Sequence, residues 1–220
     1  MINSIISHTI NEAESKFIQI IRDTFAIYLE KGARSSLKVD YLHGQIKTIL
    51  ENDICNTRNW TIGLEQNIPS INAPGRKKCD IVMYDENHSP IAIFPVKFIM
   101  SNYNQNKNNS WENLTGECCH LKWHPDNIHV KIIPINIIFS KVPYLYSNKT
   151  TQKFENIDYD QTFKIYDTLK QNHVCHDVIN YIVDVEPQTS IGELYNISPI
   201  ITGFNEKTPF RSFDSVLFPP

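Results

Sequence analysis

The sequence predicts an α/β fold, a mixed β-sheet flanked by helices, on three observations. Two N-terminal stretches repeat apolar residues at the period of a helix. The middle of the chain alternates apolar and polar residues between turn signals. Val130 to Phe139 is almost continuously apolar, as in a strand covered on both faces. At 220 residues with 41% hydrophobic side chains, the chain is long enough for a core, and one domain over 1–220 is expected. Within it, 1–57 reads as N-terminal helices, 58–140 as the centre of the fold, and 141–220 as a helix, a strand and an irregular arm.

Asn11-Glu-Ala-Glu14 has the form of a capping box, and Phe17, Ile20, Ile21, Thr24, Phe25 and Tyr28 form the stripe of the helix behind it. Gly32 closes that helix. A second helix is expected from Ser36 to Ile54, with Leu42, Ile46, Ile49 and Leu50 on one side. Trp60, Ile62 and Leu64 alternate as in a half-buried strand, Pro69 to Gly75 turn the chain, and Lys78 to Tyr84 form a second strand. A polar hairpin loop, Asp85 to Pro90, leads into a third strand over Ile91 to Met100. Ser101 to Asn109 reads as an Asn-rich loop. The helix after it, to about His120, places Trp111, Leu114, Cys118 and Leu121 on one face. A buried strand over 130–139, a helix over 160–170 and a strand over 178–185 follow. Beyond Pro187 the prolines at 199, 209, 219 and 220 imply irregular wrapping.

Charge and motifs narrow the function. The net charge of −3 excludes a wholesale basic coat, yet residues 150–220 hold five Lys/Arg against ten Asp/Glu, so a polyanion would meet the earlier part of the chain. No run of 18 apolar residues exists and Met1 to Asn11 has no secretory pattern, so a cytoplasmic protein with no membrane partner is expected. The five cysteines include no CxxC pair and read as free thiols; Cys118, Cys119, His120, His124, His173, Cys175 and His176 match no common zinc spacing. Glycine-rich phosphate and dinucleotide loops, GxSxG and HExxH are absent, which leaves no nucleotide cofactor to expect.

The chemistry concentrates in Gly75-Arg-Lys-Lys-Cys-Asp80-Ile-Val-Met-Tyr and Ile91-Ala-Ile-Phe-Pro95-Val-Lys97-Phe. Asp80 stands inside a strand, on the face of Val82 and Tyr84 by alternation, and a carboxylate there is costly unless paired or bound to metal. Lys97 is likewise a lone charge in an apolar strand. Adjacent strands of a meander would bring the two together. A salt-bridged Asp80 and a snorkelling Lys97 are the plainer alternatives. His43 reads as a surface or core histidine that can also face the cleft.

On these residues the chain resembles the PD-(D/E)XK nucleases, the superfamily of many type II restriction endonucleases. The resemblance spans about residues 36–139 and implies a restriction-endonuclease-like αβββαβ core. It further implies Mg²⁺-dependent hydrolysis of phosphodiester bonds in double-stranded DNA by a type II restriction enzyme, acting as a homodimer that meets both strands. Asp80 matches the motif's metal-binding Asp and Lys97 its Lys, and the backbone carbonyl beside the Lys, that of Val96, is a further ligand. The second acidic position is Pro95, which cannot bind metal. Some restriction-enzyme families carry that acid on the following helix, which here points to Glu112, fifteen residues past Lys97. Glu117, about 140° further round that helix, and Glu65 on the preceding strand are the alternatives. Asn109-Ser-Trp-Glu112 also has capping-box form, so Glu112 has a structural reading too. Arg76, Lys77 and Lys78 are expected at phosphates. Asn102, Tyr103, Asn104, Gln105, Asn106 and Lys107 are expected at DNA, since amides pair with adenine edges. A degenerate DNA-binding module and a repair or junction-resolving nuclease are the competing functions.

Overall fold

The computed structural model describes residues 2–145, 151–186 and 200–218, with side chains from Glu12 onward except that of Gln152. Helix α1 (Ile2–Lys31) begins well before the expected start. Its apolar spacing continues upstream through Ile6 and Ile10 with no glycine or proline to stop it, so Asn11 lies inside the helix. Gly32 ends it at φ +86°, donating its N–H to the Tyr28 carbonyl at 2.8 Å. Helix α2 (Leu37–Asp53) buries Leu42, His43, Ile46 and Leu50 as one stripe; the expected Ile49 is only half-buried, and the histidine is the member the apolar pattern does not predict.

Strands β1 (Thr61–Pro69) and β2 (Arg76–Tyr84) form an antiparallel hairpin whose turn uses Gly75 at φ +71°. The next turn is fastened by the Asp85 carboxylate, which accepts the N–H groups of Asn87 and Ser89 at 2.9 Å each. The expected third strand is split at Pro95 into β3 (Pro90–Phe94) and β4 (Val96–Ile99). Helix α3 (Tyr103–Lys122) starts where a loop was expected. The buried run is likewise split, at Pro134, into β5 (Lys131–Ile132) and β6 (Ile135–Phe139).

The strand order is β1-β2-β3-β5 on one side of these breaks. On the other side, β9 (Ile179–Glu186) and β10 (Ile200–Phe204) complete the order β10-β9-β6-β4. The two prolines lie side by side and lack the N–H that an unbroken ladder uses. The neighbouring bonds carry the sheet across: Ile133 N–H to Ile93 O at 2.9 Å, Ile135 N–H to Pro95 O at 2.8 Å, and Ile179 N–H to Pro134 O at 2.8 Å. The β3–β5, β4–β6 and β6–β9 pairs are parallel and the outer pairs antiparallel, so the sheet is mixed.

Helices cover both faces. Phe17, Ile21, Phe25, Leu42, Ile46 and Leu50 from α1 and α2 pack with Ile81, Met83, Ile135, Ile137 and Tyr181 of the sheet. Leu114, Cys118 and Leu121 of α3 pack with Val82, Ile93, Ile132 and with Tyr166 and Leu169 of α4 (Tyr159–Gln171). The hairpin β7 (Lys141–Leu145) with β8 (Thr151–Asn156) falls in a stretch to which the sequence reading assigns no element, and β10 and a short helix α5 (Phe213–Leu217) appear where irregular wrapping is expected. Pro209 lies ahead of α5. Residues 187–199 and the prolines at 199, 219 and 220 lie outside the described residues. All five cysteines are free thiols. Among the described residues no helix is long and apolar enough to cross a membrane.

Candidate metal centre

The break at Pro95 creates the site. Phe94 pairs with Ile81 of β2, but from Val96 onward the strand pairs with β6 only and its other edge is open. The Asp80 carboxylate takes the place of the missing ladder, accepting the Val96 N–H at 2.8 Å. That is how a carboxylate is tolerated inside this strand. A residue's N–H and C=O point to the same edge of a strand, so the Val96 carbonyl lies along this open edge as well.

Glu65 arrives opposite. The β1–β2 ladder pairs Leu64 with Ile81 and Gln66 with Cys79, and Glu65 interrupts it at φ +54°. Continuous register would set it across from Asp80. His43 closes the group from α2: its Nδ1 is 3.5 Å from Glu65 Oε1, and ligand atoms of His43, Glu65 and Asp80 all lie within 4.8 Å of one another. Alternation puts Asp80 on the face of Val82 and Tyr84, which pack toward α3, yet its carboxylate meets a histidine from α2. The release of β4 from β2 leaves that carboxylate room at the strand edge.

His43 is only 4% exposed, and burial pushes its imidazole below the ordinary histidine value, against the pull of Asp80 and Glu65. It therefore offers a neutral ring nitrogen at neutral pH. Glu117, on the buried stripe of α3 with Leu114, Cys118 and Leu121, is 8% exposed. Its Oε2 lies 3.6 Å from Lys97 Nζ and 3.7 Å from Lys77 Nζ. Burial raises its carboxyl above the usual range, opposed by Lys97 and reinforced by Asp80. Glu117 thus holds Lys97 rather than joining the His43–Glu65–Asp80 group.

The expected residues divide. Asp80, Lys97, Val96, Glu65 and Glu117 converge. Glu112 does not: it is exposed, and it projects from α3 about 140° away from Glu117. It does not cap the helix either, since α3 begins nine residues earlier at Tyr103. Lys78 Nζ pairs with Glu65 Oε2 at 2.6 Å, Lys77 with Glu117, and Arg76 donates to the Asn67 carbonyl at 3.0 Å. The segment expected to read DNA is the cap and opening turns of α3 and is largely tied down. Asn102 Oδ1 accepts the Leu145 N–H, Asn104 N–H donates to Glu155, and Gln105 donates to the Tyr144 hydroxyl. Asn106 donates to the Ser101 carbonyl and Lys107 to Gln161. Tyr103 is buried, with its hydroxyl on Thr162, and so presents no ring to a ligand.

His43 is the member whose role the sequence leaves open, and its signal was a polar residue in the apolar stripe of α2. The four donors fit a divalent cation: two carboxylates and a backbone carbonyl are hard oxygen ligands, and a neutral imidazole adds a nitrogen that Mn²⁺ accepts as well. The Cys/His residues considered for zinc form no such group among the described residues. No protein-family model matches the chain, and no curated protein or solved structure matches it either.

Proposed function

We propose that the protein is a divalent-cation-dependent nuclease of restriction-endonuclease type that hydrolyses phosphodiester bonds in DNA. The observation that carries this reading is the convergence of Asp80, Glu65, His43 and Lys97 from four elements on one open strand edge. The open edge also provides the Val96 carbonyl, and the elements follow the order of an αβββαβ core.

Asp80, Glu65, His43 and the Val96 carbonyl would hold Mg²⁺ or Mn²⁺. When bound, the cation supplies positive charge to a phosphate and to its leaving oxygen. Glu65 here replaces Glu112 as the second acid. Lys97, braced by Glu117, directs its ammonium toward the attacking water and screens the phosphate. Glu117 fixes that lysine's direction while Lys77 shares the same oxygen. Lys78 and Arg76 extend the positive surface along the mouth of the β1–β2 hairpin, where flanking phosphates would lie. Cutting both strands of a duplex calls for two such centres, hence a symmetric pair of chains.

Supercoiled plasmid incubated with Mg²⁺ and, separately, Mn²⁺ tests the reading. Wild-type protein converts it to nicked or linear forms. Asp80→Ala and Lys97→Ala each lower the rate by about a hundredfold or more. Unchanged cleavage by both variants would sink the assignment.

A further inference from the structure

A cleft of about 330 Å³ shares Lys97 with the metal centre. One wall is the face of α3 that carries Asn106, Asn109 and Asn113 at helical spacing, and the other is formed by Tyr28 and Lys38. The nuclease reading assigns no role to Tyr28, Lys38, Asn109 or Asn113.

The amides are only partly committed. Asn113 donates to Asn109 Oδ1 at 3.0 Å, and Asn106 donates to the Ser101 carbonyl at 3.1 Å. That leaves the Asn109 amide N–H groups and the Asn113 carbonyl oxygen, on two residues that line the cleft, as a donor beside an acceptor. Such a pair complements a nucleobase edge, as an asparagine amide complements adenine. Six of the chain's 22 asparagines fall between Asn102 and Asn113. Asparagine is a poor helix former, so this helix carries them against its own stability. Lys38 bonds the Ala33 and Ser35 carbonyls and adds charge at the rim without a carboxylate partner among its bonds.

We propose that this cleft holds one unpaired nucleotide next to the phosphodiester bond served by Lys97, with its base edge on Asn109 and Asn113. The proposal rests on the nuclease reading for the second half of that statement. The volume stands at the low end of small-ligand sites, roughly 300–1,000 Å³, and has room for a nucleotide but not for a duplex. A base must therefore leave its stack to enter, and a single strand or a frayed end enters more readily than an intact helix.

Anisotropy of a short fluorescein-labelled single strand, read in EDTA, tests it. Wild-type protein binds the strand about tenfold more tightly than the Asn109→Leu/Asn113→Leu variant, the discrimination of one bidentate base contact. An abasic residue moved along the strand weakens wild-type binding at one position and leaves the variant's binding flat. Leucine is the better helix former, so the variant melts no lower than wild type. Equal affinity for the strand, or wild-type binding indifferent to abasic position, overturns the proposal. Failure of the nuclease reading shows separately, as plasmid left intact by wild type with both cations, because binding in EDTA does not depend on cleavage.

Discussion

Glu65 holds a left-handed backbone at φ +54°, a conformation that costs a non-glycine residue about 1–3 kcal/mol. The local interactions it gains in return are one exposed ion pair with Lys78 and a contact with His43, and exposed pairs contribute little. On the proposed function, cation binding by the Glu65 carboxylate would offset the rest. Glu65→Gly should raise stability to urea by about 1 kcal/mol while it removes cation binding. A variant that loses both stability and binding would show that the strain has a structural cause. Asp80 and Lys97 were legible because each is a charge inside an apolar strand. Glu117 carried the same kind of signal, a charge in the stripe of Leu114, Cys118 and Leu121. The left-handed turn at Glu65 and the approach of His43 from α2 depend on packing between distant elements, which residue spacing does not encode.

At the scale of elements, two neighbouring prolines decide the architecture. Pro95 and Pro134 interrupt β3–β4 and β5–β6 at the same level, and the Asp80 carboxylate bonds the Val96 N–H just past that break. Sequence periodicity located both strands but ran them through the prolines, since apolar residues continue on each side. It placed the start of α3 six residues late because asparagines read as loop, although tertiary contacts to Leu145 and Glu155 hold them in the helix start. The C-terminal arm is fastened by Asp177, which accepts bonds from Arg211 at 2.6 Å, Lys170 at 2.8 Å and the Val178 N–H at 2.9 Å. Burial pushes its carboxyl up, but the bonds from Arg211, Lys170 and Val178 outweigh it and hold the group below the ordinary 3.8. A depressed folded value means that its stabilisation is complete above that pH and fades as the pH falls further. Asp177→Asn should therefore cost about 2 kcal/mol in urea unfolding at neutral pH, with the gap to wild type closing only in acid, at pH below the ordinary 3.8. A gap that persists in acid would assign the loss to packing.

For the whole molecule, the excess acid lies after residue 150 and part of it is internal, with Asp177 bonded to two cations and Glu155 buried against α3. The net −3 therefore understates how neutral the face around Lys97 is. Even so, Lys77 and Lys78 are paired with acids, so the positive surface is small. DNA binding in EDTA should weaken with salt on a log–log slope no steeper than about −5 per chain, the limit set by Lys38, Arg76, Lys77, Lys78 and Lys97. A much steeper slope would place the DNA on another surface.

Which carboxylate completes the centre is the central question. Plasmid cleavage with Mg²⁺ by Glu65→Gln and Glu112→Gln, assayed side by side, decides it most directly. The geometry predicts that Glu65→Gln loses about a hundredfold or more in rate and that Glu112→Gln cuts like wild type. Full activity in Glu65→Gln with loss in Glu112→Gln would contradict the centre described here.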